Sequence, residues 1–131
     1  MIKKVEHVAI IVNNMEESIR YYCDLFGFKL RTTGSNPRRE MSFLTHTQQP
    51  SFEIELIRDL EGKDTYSNKG LVNHLAFTVE NIQEAMEYYR GKGIVFNADE
   101  PSTAIDGGKT IFFDGPNGEL LQLVEPSASR R

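Results

Sequence analysis

The chain has 131 residues, 39% of them hydrophobic and 26% charged, which suits one ordinary folded domain and speaks against a disordered chain. Its net charge of −4 excludes nucleic acid as a partner, because neutralising phosphates takes a basic face that 15 Lys and Arg against 19 Asp and Glu do not supply. The longest early apolar run, VAIIV, is far shorter than the ~20 residues of a membrane span, MIKKVEH does not resemble a secretory leader, and the single Cys23 cannot form an internal disulfide; a cytoplasmic location is expected.

Residues 4 to 13 read as a strand. Asn14 is a helix N-cap, Glu16 and Glu17 suit the positive end of that helix, and Met15, Ile19, Tyr22 and Phe26 fall at helical spacing up to Gly27. Strands are expected at 28–33, 40–46 and 52–58, with Gly34, Asn36 and Pro37 breaking the first from the second. The polar segment 59–70 links this module, 1–58, to a second one at 71–126. There a strand at 72–79 precedes Asn81 as cap and a helix carrying Ile82, Ala85, Met86 and Tyr89, closed by Gly93. Strands then fit 94–98, 108–114 and 119–125, with DGPNG at 114–118 as a turn and 127–131 as a frayed tail.

The two modules are copies of one pattern. HVAIIVNNMEESIRYY, from His7, matches HLAFTVENIQEAMEYY, from His74, and the separation of 67 residues that relates the histidines also relates Glu55 to Gln122. A lone histidine on an apolar strand is ordinarily a packed core residue; a repeated one, followed in each copy by Glu or Gln at the same interval, asks for a common task. Strand parity says where the four point, since alternate side chains leave opposite faces of a sheet. Val8, Ile10 and Val12, Leu75, Phe77 and Val79, Ile54 and Leu56, and Leu121 and Leu123 make apolar faces for the helices to cover. His7, Glu55, His74 and Gln122 fall on the opposite, open face, which a curled sheet would make a cleft. The fold expected is α+β: two pseudo-symmetric βαβββ modules forming a curled mixed sheet with a metal cleft. A pseudo-twofold axis would gather two imidazoles, a carboxylate and an amide oxygen about one divalent ion; Zn²⁺, Ni²⁺, Co²⁺ and Mn²⁺ all suit such donors.

Taken together, HVAIIV with the ESIRYY helix, RTTGSNP, IEL, NHLAFTVEN, and GGKT followed by DGPNG and LQLVE make the chain resemble glyoxalase I and the wider vicinal-oxygen-chelate superfamily over nearly its whole length. The resemblance implies a single such domain with metal ligands on the first strand of each module, here His7 and His74, and on the last, here Glu55 and Gln122. It favours zinc or nickel, a thiol cosubstrate such as glutathione, and a homodimer. It also implies the reaction: the hemithioacetal of methylglyoxal and a thiol rearranges to a lactoyl thioester through an enediolate, which needs a cation for the oxyanion and a base near the C–H bond. Glu55, or a metal-bound hydroxide, is the candidate base. Bacterial glyoxalase I has glutamate at the final ligand position, whereas Gln122 here cannot accept a proton, and Glu119 and Glu125 have the wrong parity to replace it. Arg20, Arg38, Arg39 and Lys109 are candidate contacts for substrate carboxylates. Two other readings stand beside the lyase: another superfamily enzyme, of epimerase or, less readily, dioxygenase type, and a non-catalytic protein that sequesters a small molecule.

Overall fold

Two asparagines start the two helices in the same way. Asn14 and Asn81 both lie in extended backbone, and the side chain of each accepts the amide of the residue three further on, Glu17 at 3.0 Å and Glu84 at 2.9 Å. The computed structural model describes residues 5–62, 74–104 and 107–128. It divides the chain into two units, Met1–Gly70 and Leu71–Arg131.

In the first unit, β1 (His7–Ile11) is followed by α1 (Met15–Phe26), β2 (Phe28–Ser35), β3 (Arg39–His46) and β4 (Glu53–Asp59). These strands form one sheet in the order β1-β4-β3-β2, with β1 and β4 parallel and the other pairs antiparallel. Helix α1 stops at Gly27, whose φ of +79° is a left-handed conformation that suits glycine. Its last turn is then tied to β3: His46 Nε2 donates to the Phe26 carbonyl at 2.8 Å while His46 Nδ1 accepts the Gln48 amide at 3.1 Å. The third histidine of the chain is therefore part of the fold.

The second unit repeats the order with β5 (Leu75–Thr78), α2 (Ile82–Gly91), β6 (Ser102–Thr103), β7 (Lys109–Asp114) and β8 (Leu120–Glu125). Its sheet runs β5-β8-β7-β6, again with the first pair parallel. The architecture is thus α+β in two like modules, each with its own four-stranded mixed sheet. The strand expected at 94–98 is reduced to one bridge, Phe96 to Phe113. The chain beyond it is drawn to α2, where Arg90 Nη2 donates to the Asp99 carbonyl and Gln83 Nε2 to Glu100, and the edge strand forms later at Ser102–Thr103. Residues 63–73 and 129–131 lie outside the described residues, and with them most of the link at 59–70, the start of the strand expected at 72–79 and the end of the tail.

The helix-covered faces hold the cores. Val12, Tyr22, Leu44, Ile54 and Leu56 are buried in the first unit, and Ile82, Met86, Phe113, Leu121 and Leu123 in the second. Burying each such aliphatic side chain stabilises by about 1.5–3 kcal/mol. Ser42 is also buried in the first core, opposite Leu56, and among the described residues its hydroxyl meets no hydrogen-bond partner. A desolvated, unsatisfied hydroxyl is a cost without a return. Ser42→Ala is expected to raise stability by about 1 kcal/mol, or about 3 °C in thermal midpoint, with turnover unchanged; a lower midpoint in a melt would show that Ser42 has a partner. Among the described residues, no helix is long and apolar enough to cross a membrane.

Candidate metal centre

The parallel β1–β4 pairing sets His7 opposite Glu53 and Ala9 opposite Glu55. Val8, Ile10, Ile54 and Leu56 turn toward α1, so His7 and Glu55 share the other face. His7 Nε2 stands 3.5 Å from Glu55 Oε1, with the imidazole 38% and the carboxylate 13% exposed. On its other side, His7 Nδ1 lies 3.2 Å from Glu6 Oε1. A proton on Nδ1 satisfies Glu6 and leaves the Nε2 lone pair facing Glu55.

The 3.5 Å separation is long for a charge-assisted hydrogen bond, which runs to about 2.9 Å. It matches two donors on one tetrahedral ion, each about 2.1 Å from the metal and so about 3.4 Å from each other. The donor chemistry, one neutral imidazole and one carboxylate, suits the same ions. Ala9 beside Glu55 keeps the space open, and Phe43, the cross-strand partner of Glu55, sets its ring edge-on to His7 at 6.4 Å.

A second carboxylate, Glu53, has the same parity. Arg31 claims it: Nη2 donates to Oε1 at 2.9 Å, Nε donates to Oε2, and the guanidinium lies 5.3 Å from the Phe43 ring centre. The hydrogen bonds to Glu53 push the Arg31 pKa above its ordinary value. Among the described residues no Lys or Arg forms an ion pair with Glu55, whose neighbour is the His7 ring. The two acids are thereby told apart.

In the second unit, Gln122 pairs with Ala76 on β5 and Phe112 on β7, while Leu121 and Leu123 are buried on the α2 side. His74 precedes β5 with the parity of Ala76, and its ring meets Phe112 edge-on at 5.3 Å and 90°. A histidine against a phenylalanine edge, next to a strand residue able to bind metal, thus recurs in both units. Glu119 accepts the Asn117 backbone and side-chain amides at 2.7 and 3.1 Å, and Glu125 accepts the Ile82 amide at the start of α2 at 2.9 Å. Both acids work in the fold, and neither stands in for a glutamate at 122. Among the described residues, no three His, Cys, Asp or Glu side chains cluster closely enough to hold an ion.

The expected substrate cations are placed variously. Arg20 is on α1, on the far side of the sheet from His7, 4.0 Å from Glu16. Arg38 stands in the β2–β3 turn, where Asn36 Oδ1 accepts its amide and that of Arg39. Arg39 has the parity of Phe43 but sits at the end of β3 opposite Asp59. Lys109 has the parity of buried Ile111 and Phe113, opposite to that of Gln122, and its ammonium donates to Thr103 Oγ1 at 2.6 Å. Arg31, which reaches over Phe43 to Glu53, escapes sequence reasoning because its reach depends on cross-strand register. Burial and the neighbouring Asp24 push the Cys23 thiol up, which makes it a poor nucleophile.

Comparison with known proteins places the chain by family and fold. Residues 4–123 match the family model described as Glyoxalase/Bleomycin resistance protein/Dioxygenase superfamily. The chain is 30% identical over 129 residues to an uncharacterized protein of Bacillus subtilis (strain 168), covering 95% of this chain and 99% of that one. It is 30% identical over 130 residues to the lactoylglutathione lyase of Salmonella typhimurium, covering 95% and 94%. The crystal structure of the glyoxalase family protein from Enterococcus faecalis superposes with a TM-score of 0.77 at 26% identity, covering 94% of this chain and 98% of that one.

Proposed function

We propose, from the premise that this chain belongs to the glyoxalase/bleomycin resistance/dioxygenase superfamily, that it is a divalent-metal-dependent lyase of glyoxalase I type. Its reaction is the isomerisation of a methylglyoxal–thiol hemithioacetal to a lactoyl thioester. The observation that carries this reading is the approach of His7 Nε2 to Glu55 Oε1 at 3.5 Å, at a donor–donor spacing that suits one ion and with Glu53 taken by Arg31. The lyase named among its relatives supports the substrate class. His7, Glu55, His74 and Gln122 are the proposed ligands, zinc or nickel the proposed ion, glutathione the proposed thiol, and a homodimer the working unit.

When bound, the ion supplies positive charge for the oxyanion of an enediolate. The residues supply the rest. Glu55 takes the proton from the carbon bearing sulfur and returns it to the neighbouring carbon, while the hydroxyl proton passes from the oxygen of the first carbon to that of the second, so the substrate is isomerised with no net change in protons. Glu6 holds the His7 ring in the tautomer that points Nε2 inward. Phe43 and Phe112 offer apolar surface beside the histidines, which weakens the competition of water for the charges formed. Gln122 carries no charge and does not take part in the proton transfer.

A non-catalytic binder has no need for a histidine and a carboxylate held at this separation. An epimerase would use the same proton abstraction, and the Gln at 122 is compatible with it, so the assay must name the substrate. Purified protein is to be analysed for bound metal and tested on the methylglyoxal–glutathione adduct with chelator and after readdition of Zn²⁺ or Ni²⁺. Turnover that disappears and returns supports the lyase. Metal-free protein that binds small molecules regardless of chelator overturns it.

A further inference from the structure

The last strand of the first module carries two carboxylates, Glu53 and Glu55, on the face of its histidine. Glu53 is the direct cross-strand partner of His7, whereas the residue 67 positions later is Leu120. An ion that took both Glu53 and Glu55 would keep no net charge; with one of them it remains a unit positive centre, which favours an enediolate. The same module brings in an arginine. A β-bulge between Leu30 and Thr32 gives β2 an extra residue opposite Phe43, and that residue is Arg31. Its side chain crosses β3 over the Phe43 ring and engages both oxygens of Glu53. A forked guanidinium–carboxylate pair is directional as well as attractive, and Glu53 is only 15% exposed while Arg31 is 51% exposed. The carboxylate is fixed; the arginine can be replaced without opening the core.

We propose that Arg31 is a positioning residue that keeps Glu53 out of the ion's ligand set, making Glu55 the single carboxylate this module contributes. The inference rests on the reading of His7 and Glu55 as ligands. It gives the Arg31–Glu53 pair a task that an ordinary surface ion pair lacks: it sets the charge of the centre.

The test is Zn²⁺ affinity, measured on the full chain by competition with a chromogenic chelator. Glu55→Gln should weaken binding by about tenfold or more, adding Arg31→Met should restore roughly tenfold as Glu53 is released to the ion, and adding Glu53→Gln should remove the gain. A merely structural Arg31 gives the opposite order, with the double variant weaker than the single. The series is repeated with Arg31→Gln, and circular dichroism selects the folded versions. No recovery in any folded double variant overturns the proposal while leaving the ligand assignment in place. Wild-type protein that binds no Zn²⁺, or a Glu55→Gln variant with undiminished affinity, overturns both, and does so before Arg31 has been changed.

Discussion

Glu55→Gln is expected to lower turnover of the methylglyoxal–glutathione adduct by roughly a hundredfold to ten-thousandfold, with the thermal midpoint of metal-free protein unchanged or higher. The two effects part because of where the carboxylate lies. It is mostly covered, and its neighbour His7 stands at 3.5 Å, beyond the range of a strong hydrogen bond. A half-desolvated anion with so weak a partner costs folding energy, and an amide of the same shape removes that cost. The same change removes an anionic ligand and the base together. Stability kept and activity lost is the signature of a group retained for chemistry. Melting in chelator and thioester formation measured on the same sample check it. Turnover equal to the wild type, or a loss that merely follows the unfolded fraction, would contradict the role given to Glu55. Ser42→Ala is the counterpart on the helix side, with the same sign in stability and no effect on turnover.

What could be read from sequence was whatever a single strand or helix decides for itself. Strand alternation placed His7 and Glu55 on the face away from Ile54 and Leu56, because a period of two leaves no other choice once the apolar set is known. Asn14 and Asn81 announced their helices through chemistry confined to four residues. What escaped was whatever depends on neighbours across strands. Glu53 and Glu55 have the same parity and could be ranked only by the repeat; the reason they differ is Arg31, delivered by a bulge that periodicity does not reveal. Phe43 and Phe112 came into view only when register set them opposite Glu55 and Gln122. Ile94, Val95 and Phe96 alternate like a strand, yet tertiary hydrogen bonds from α2 to residues 99 and 100 decide that segment instead.

Gln122→Glu tests the second module from the opposite direction, by adding a proton acceptor that residue 122 lacks, and its expected result is a gain in lyase turnover of about tenfold. Two terms oppose each other. A second carboxylate ligand lowers the net charge of the centre from one to zero and so weakens oxyanion stabilisation. It also provides a second proton acceptor, where Glu55 otherwise serves both carbons, and a well-placed base contributes a hundredfold or more. The base therefore outweighs the charge. Stability supplies an independent reading. Position 122 lies half-buried between Ala76 and Phe112, so an unpaired carboxylate there should lower the metal-free midpoint, by about 1–3 kcal/mol. Zn²⁺ or Ni²⁺ should then raise the midpoint further than in the wild type, because ligand binding to the folded state alone stabilises it in proportion to affinity. If neither turnover nor the metal-induced shift changes, residue 122 is not a ligand, and the second module contributes through His74 or not at all.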